Sequence, residues 1–535
     1  MSRSSRRQRP NPAAEELADQ VSRLPRDLGI WRAGQHGLYH LLFSSSLARF
    51  TDLAQAQLTA GDLGVAEAME TWRHATSALV EWHTRWAKPG SGEPADQDLA
   101  AAIRRARDWR ALETIQLGLR TGDMYIAGTS GWEIRLGNIR DHAVEVLDII
   151  LQQVSIPAPK LTGPSDDAVQ QWFTGHAGRP GQAHRLPKWV QTIAYRRAQA
   201  DLVNRDFTMP GSTDLGGLTL AEARDCYALL LARTELAALC TTVLGSRETA
   251  VWYTESAALI KELTGHVSAE SAAAFIQLCS YHPGRSPASA PLIPDDNLIA
   301  IPSALVSPVG FERALLRAAS ADPSRAGQLG NTLGRRSARW ADLLRSIPGA
   351  QVAERLPVTS DAGQALGDLD VAAFDAADNL LLVVETKWPV DAHTLRESSK
   401  IDDAVEAGRH QLLRVKAALA NGGTARWPRT WHITPGTRIT WWVATAQQLS
   451  TRPGRDAHDI RATSLRLIEH ILPASSVADL QERVENFPLP RLGVEYELTD
   501  QTVRVGRYRI TIPAIALLGE PPVPPEDRRT NTGWT

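Results

Sequence analysis

"GDLDVAAFDAADNLLLVVETKW", residues 367–388, reads as two β-strands around a polar turn. Side chains alternate along a strand, so residues two apart share a face. Asp368, Asp370, Ala372 and Phe374 then point one way on the first strand; Leu381, Val383, Glu385 and Lys387 share a face of the second. If Asp375 pairs with Leu380, Asp370 lies opposite Glu385 and Asp368 opposite Lys387. The four charged groups meet at one end of one face. Like charges opposed across a ladder destabilise it. A run as apolar as "LLLVV" implies cover on both faces, where unpaired carboxylates cost more still. A divalent cation removes that cost, and Mg²⁺ takes carboxylate oxygens while keeping several waters. The alternative reading is a strand end open to solvent, with Asp368 simply pairing Lys387.

Outward from the hairpin, the order of elements is that of an α/β unit. "FERALLRAASA" and "QLGNTLGRRSARWADLLRSI" read as helices and "AQVAERLPV" (350–358) as a strand. The hairpin follows, then a long helix over 393–422 and a β-prone strand, "TRITWWVATA" (437–446). The hairpin supplies antiparallel pairing and the long helix a crossover, which gives a mixed sheet. A further helix at about 457–472 and a hairpin at 493–513 come next.

The preceding half has a different texture. Residues 13–285 carry apolar residues at three- and four-residue spacing, as in "DHAVEVLDIILQQV", and read as a mostly helical region with a break near 155–189. Thr219 and Glu222 form a capping-box pattern at the start of one helix. A Pro- and Ser-rich joint is expected at 286–310, an α/β domain at 311–450, and a C-terminal extension at 451–518. Residues 1–12 and 519–535 read as disordered tails. The expected fold class is therefore α+β and multidomain: a large helical N-terminal region followed by an α/β domain with a mixed central sheet.

Composition narrows the function. The 535 residues hold 58 basic and 60 acidic side chains, so the chain has no overall basic footprint for nucleic acid. Any such contact must be local. Residues 313–345 offer one candidate, with seven arginines against Asp322 and Asp342; an ordinary solvated helix face is the competing reading. Only seven of the basic residues are lysine, an Arg- and Ala-rich bias typical of a high-GC bacterial genome. Cys226, Cys240 and Cys279 lack CxxC spacing and read as buried small residues in a reducing compartment. The N-terminus has no apolar signal core and no window reaches membrane-span length, so a cytoplasmic location is expected.

An Asp near the end of one strand, followed by Glu-x-Lys on the next, resembles the core motif of the PD-(D/E)XK nuclease superfamily. Lys387 is the only lysine with an acid two residues before it. The resemblance covers roughly 311–450 and implies a restriction-endonuclease-like domain. It implies Asp370 and Glu385 as metal ligands, with the Thr386 carbonyl completing the metal's surroundings. Lys387 would orient or activate the attacking water and offset phosphate charge. Mg²⁺ is the implied cofactor, with Mn²⁺ as a substitute, and nucleic acid, DNA first, the implied substrate, in defence against foreign DNA or in repair. Asp368 replaces Asp370 if the register slips by two, and Gln411 resembles a glutamine that some members place near the metal. Arg335, Arg336 and Arg339 are the implied phosphate contacts. The family's first-helix Glu is missing from "QLGNTLGRRSARWADLLRS", and no proline precedes Asp370.

Other chemistries find no support. No lysine follows a glycine, which excludes a Walker A loop; "HGLYH" lacks the Glu of HExxH; "GTSGW" is not a nucleophile elbow. Trp72, Trp82, Trp86 and Trp388 read as packing residues. Two rivals stand beside the nuclease: a module that binds nucleic acid or a partner without cutting, and a structural or assembly protein acting through its helical half. That half is also where a protein partner or oligomer contact would sit.

Overall fold

The structure is a computed structural model that describes residues 12–518 apart from 35, 89–91, 156–163, 204–208, 308–310, 321, 335–336, 389–394, 447 and 452–458. Of the stretches read as tails, 1–11 and 519–535 lie outside the described residues, while Pro12 opens the helix Pro12–Arg23. The chain is mixed α/β and divides into two compact units. One draws mainly on 117–156 and 333–535, the other on 16–116 and 157–332.

The second unit is largely helical. Its helical element His36–Trp86 folds back on itself: Trp72 Nε1 donates to Asp52 Oδ2 at 3.0 Å, and Leu41 shares a core with Trp82. A straight helix would hold residues 52 and 72 about 30 Å apart. The helix Leu220–Thr242 starts with the expected capping box, in which Thr219 accepts from the Glu222 N–H and Glu222 Oε2 accepts from the Thr219 N–H at 2.7 Å. The stretch expected to be a joint is instead built into this unit. Ile293–Asp295 and Leu298–Pro302 form a three-stranded antiparallel sheet with Val251–Glu255, and Ile293, Ala300 and Ile301 are buried. Pro294 and Pro302 lie within these short strands, and Asp296 takes the turn with φ 52°. All three cysteines are free and buried, and burial pushes the thiols of Cys226 and Cys240 up to about 12 and about 11. Such thiols are inert at neutral pH.

The first unit holds the opening hairpin, and its elements are numbered here in chain order. They are β1 (Met124–Ser130), β2 (Glu133–Asn138), α1 (His142–Ser155), α2 (Ser337–Arg345), β3 (Ala350–Thr359), β4 (Ala365–Asp375) and β5 (Leu380–Lys387). Then follow α3 (Leu395–Ala420), β6 (Thr424–Ala425), β7 (Arg438–Thr445), β8 (Ile460–Ser464), α4 (Leu465–Ile471), α5 (Val477–Glu485), β9 (Tyr496–Val505) and β10 (Tyr508–Leu517). The central sheet runs β8-β7-β5-β4-β3-β6, with β7 parallel to both β5 and β8 and the hairpin antiparallel, the mixed sheet expected. The second sheet runs β1-β2-β10-β9.

β5 is buried along both faces, as a central strand with cover on each side of the sheet requires. Leu381, Val383 and Val443 pack under α3 through Val405, Leu412 and Val415. Leu380, Leu382, Val384 and Trp442 pack on the opposite side against Trp340 of α2, Leu147 of α1 and Val477 of α5. Because both faces are apolar, hydrophobicity alone does not fix the register of β5. The turn does: Asp375 accepts from the Ala377 N–H at 3.0 Å and, with its other oxygen, from the Val477 N–H at 3.3 Å.

Two expectations are corrected. The segment read as one helix over 457–472 is a strand and then a helix, β8 and α4, joined at Ser464, whose hydroxyl caps α4 by accepting from the Leu467 N–H. The β-branched start "IRATS" is too short for periodicity to separate from the helix after it. Residues 117–156, read as part of the helical half, pack with 333–535, while 311–332 falls in the other unit. Buried polar contacts latch the early segment in place. Asp148 accepts from the Leu449 N–H at 3.0 Å, and Arg140 donates to Asp402 of α3 at 2.9 Å.

Candidate active site

The register of the hairpin is the one expected, with Asp375 opposite Leu380 and Val371 opposite Val384. There the ladder stops. One step on, the Asp370 carboxylate takes the place of a strand partner: its Oδ2 accepts from the Thr386 N–H at 2.7 Å and from the Thr386 hydroxyl at 2.8 Å. The strands therefore part at their charged end, with one carboxylate lying between them. Asp370 Oδ1 accepts no hydrogen bond among the described residues.

Glu385 is 2 % exposed. Its Oε1 accepts from Lys387 Nζ at 2.5 Å and its Oε2 from Gln411 Nε2 at 2.9 Å. Lys387 Nζ also donates to Gln411 Oε1 at 3.3 Å. Four of the side chains singled out in the sequence thus come together: Asp370, Glu385, Lys387 and Gln411. Asp368 does not join them. It is exposed, lies beyond the end of the β4–β5 ladder and across from Pro357 of β3, and makes no ion pair with Lys387.

The electrostatics are unbalanced. Burial, and then the charge of Asp370, push the Glu385 carboxyl up to about 7, against the pull of Lys387. Burial also raises Asp370, opposed by the two donors of Thr386. A buried and a half-buried carboxylate lie beside one ammonium, and among the described residues Lys387 is the one cation that lowers either of them.

α3 is shaped to this cluster. Ile401, Val405, Leu412 and Val415 form its sheet-facing stripe at three- and four-residue intervals, and Gly408 occupies the position between Val405 and Leu412. A Cβ there would lie 2.8 Å from Val443 Cγ1 and 3.1 Å from Lys387 Cε. Glycine inside a helix costs about 1 kcal/mol relative to alanine, and here it gives the lysine stem its room. Sequence reasoning missed Gly408, although a lone glycine in an apolar helical stripe was a readable signal of close approach.

The arginine contacts fare differently. Arg335 and Arg336 lie outside the described residues. Arg339 is held by Glu469 of α4 at 2.5 Å, and Arg345 by Asp342 and Glu354, each at 2.7 Å. Arg313, Arg317 and Arg325 belong to the other unit. Trp388 packs against the core on the α2 side.

Among the described residues no three His, Cys, Asp or Glu side chains form a cluster suited to a metal. The site offers two carboxylates and the adjoining Thr386 carbonyl. That oxygen-only donor set fits Mg²⁺, which binds through one or two carboxylates and keeps its waters, and does not fit a metal needing an all-protein cage. No family model, curated protein or solved structure matches this chain. No helix among the described residues is long and apolar enough to cross a membrane.

Proposed function

We propose that the first unit is a metal-dependent nuclease of the PD-(D/E)XK type, with a restriction-endonuclease-like fold, that hydrolyses phosphodiester bonds of nucleic acid, DNA first. The observation that carries this reading is the convergence of Asp370, Glu385, Lys387 and Gln411 where the hairpin opens, with Glu385 buried and bonded to Lys387 and Gln411 and with Asp370 beside it. Asp370, Glu385 and the Thr386 carbonyl would hold a divalent cation. When bound, the cation supplies positive charge against the scissile phosphate and makes water easier to deprotonate. Lys387, fixed by Glu385 and Gln411, orients the attacking water and offsets charge on the phosphate oxygens. Gln411 holds the lysine and Glu385 in register. The water oxygen displaces the leaving oxygen at phosphorus, and no covalent enzyme intermediate forms. A role in defence against foreign DNA or in repair belongs to the same reading.

Binding without cleavage is the second reading, favoured because among the described residues no third acidic or histidine side chain joins Asp370 and Glu385 to complete a metal cluster. One experiment separates the two. The wild type and Lys387→Ala are incubated with labelled DNA and RNA, single- and double-stranded, in Mg²⁺, Mn²⁺ or EDTA. Cleavage that needs the metal and falls at least about 10²-fold in Lys387→Ala supports the nuclease. Equal binding by both proteins with no cleavage replaces it with the binding module.

A further inference from the structure

The strand beside the site is kinked at one residue. β3 pairs with β4 in one register from Ala350 to Val358, Glu354 opposite Val371 and Leu356 opposite Leu369, and the pair skipped between them is Arg355 with Asp370. Arg355 has φ 52°, the left-handed region. For a long side chain in a strand this is a true outlier, with a cost of about 1–3 kcal/mol.

The kink is matched in both strands. Ala353 and Ala372 pack under α3, and so do Leu356 and Leu369, three residues further along each strand. Regular alternation would place them on opposite faces. One residue in each strand is therefore surplus to the pleat, and the skipped pair, Arg355 and Asp370, supplies it. The irregularity that seats Asp370 between the strands is the one that strains Arg355.

Nothing in the fold accounts for an arginine there. Its side chain is exposed, and among the described residues it makes no hydrogen bond or ion pair. The neighbouring Glu354 is taken by Arg345. Glycine or asparagine would adopt this backbone at less cost. A free guanidinium held under strain beside a catalytic carboxylate has the chemistry of a phosphate fork.

Resting on the nuclease reading, we propose that Arg355 contacts a backbone phosphate of the nucleic-acid strand as it enters the Asp370–Glu385 site. It binds and positions substrate and takes no part in proton transfer.

The test uses the full chain and three variants: Arg355→Gly, Arg355→Lys and Lys387→Ala. Melting is followed without ligand. Binding of labelled oligonucleotides is measured in EDTA across a salt series, and cleavage kinetics in Mg²⁺. Arg355→Gly is expected to melt about 2–4 °C above wild type as the strain is relieved. It should bind about tenfold more weakly, with a salt slope shallower by about 0.7–0.9, the loss of one phosphate contact. Its KM rises about tenfold while kcat holds within about threefold. Arg355→Lys falls between, keeping the charge without the fork. A glycine variant that melts below wild type, or binds with an unchanged slope, overturns the proposal. If wild type cuts and the Arg355 variants match it, this proposal alone fails. If wild type binds but does not cut, catalysis fails and the binding arm still decides Arg355. If wild type neither binds nor cuts, both are lost.

Discussion

Asp375 and Asp370 sit on the same strand, one at the closed end of the hairpin and one at the open end, and the fold treats them in opposite ways. Asp375 is 2 % exposed and fully employed: it accepts from the N–H groups of Ala377, Asp378 and Val477, and so ties the turn to α5. Asp370 is bonded through one oxygen only and lies beside a second buried acid. A carboxylate surrounded by backbone donors is a structural acceptor. One that is left half-satisfied beside a like charge is a cost to stability, the mark the proposed catalytic role of Asp370 would leave.

The largest expected effect exchanges the two. Asp370→Ala should lower cleavage by more than about 10³-fold and leave the urea midpoint nearly unmoved, since it removes a charge that the fold bears at a cost. Asp375→Ala should do the reverse, with a loss of about 1–3 kcal/mol in stability and an unchanged kcat in the folded protein. A loss of stability in both would erase the distinction between the ends.

Next is the pH dependence of Glu385. Its folded carboxyl titrates near 7, above its ordinary value of 4.5. The penalty for ionising it is absent below the unfolded pKa, grows as pH rises through this window, and is complete above 7. In EDTA, Glu385→Gln should therefore gain stability over wild type at pH 8, on the order of 3 kcal/mol at most, and gain none at pH 4.5. Urea unfolding at the two pH values decides it; a gain that does not depend on pH would remove the electrostatic account.

The smallest effect is at Gly408. On a solvated helix Gly→Ala stabilises by about 1 kcal/mol. Here the new methyl meets Val443 and Lys387, so overpacking of about 1–3 kcal/mol should cancel or reverse that gain. The crowded lysine should also lower kcat about tenfold without changing binding. A stabilised variant with full activity would show that α3 does not press on the site.

These contrasts show what could be read in the chain. Strand alternation and the polar turn were enough to set Asp375 against Leu380 and to bring Glu385 towards Asp370, because period-2 geometry leaves few choices. The same reasoning stopped short of the kink at Arg355. That departure from the pleat is a backbone event, and nothing in "AERLP" announces it. The strand β8 was hidden in front of α4 because five residues carry no period. The bridge from Arg140 to Asp402 spans 262 positions, a separation that local patterning cannot see. In α1, "VEVLDIILQQV" is apolar enough to be a core helix, yet its pattern is silent about which core it joins.

That membership has a consequence in time. Val144, Leu147 and Leu151 of α1 share a core with Val477, Leu480 and Val484 of α5. At about 5–20 residues per second, a ribosome takes roughly 15–65 s to travel from one group to the other. For that interval the core that α1 joins stays incomplete, its strands and α2 arriving first and α5 last. The last layer over the sheet arrives only with residue 484, so the cluster of Asp370, Glu385 and Lys387 is fully seated only late in synthesis, when nearly the whole chain has been made.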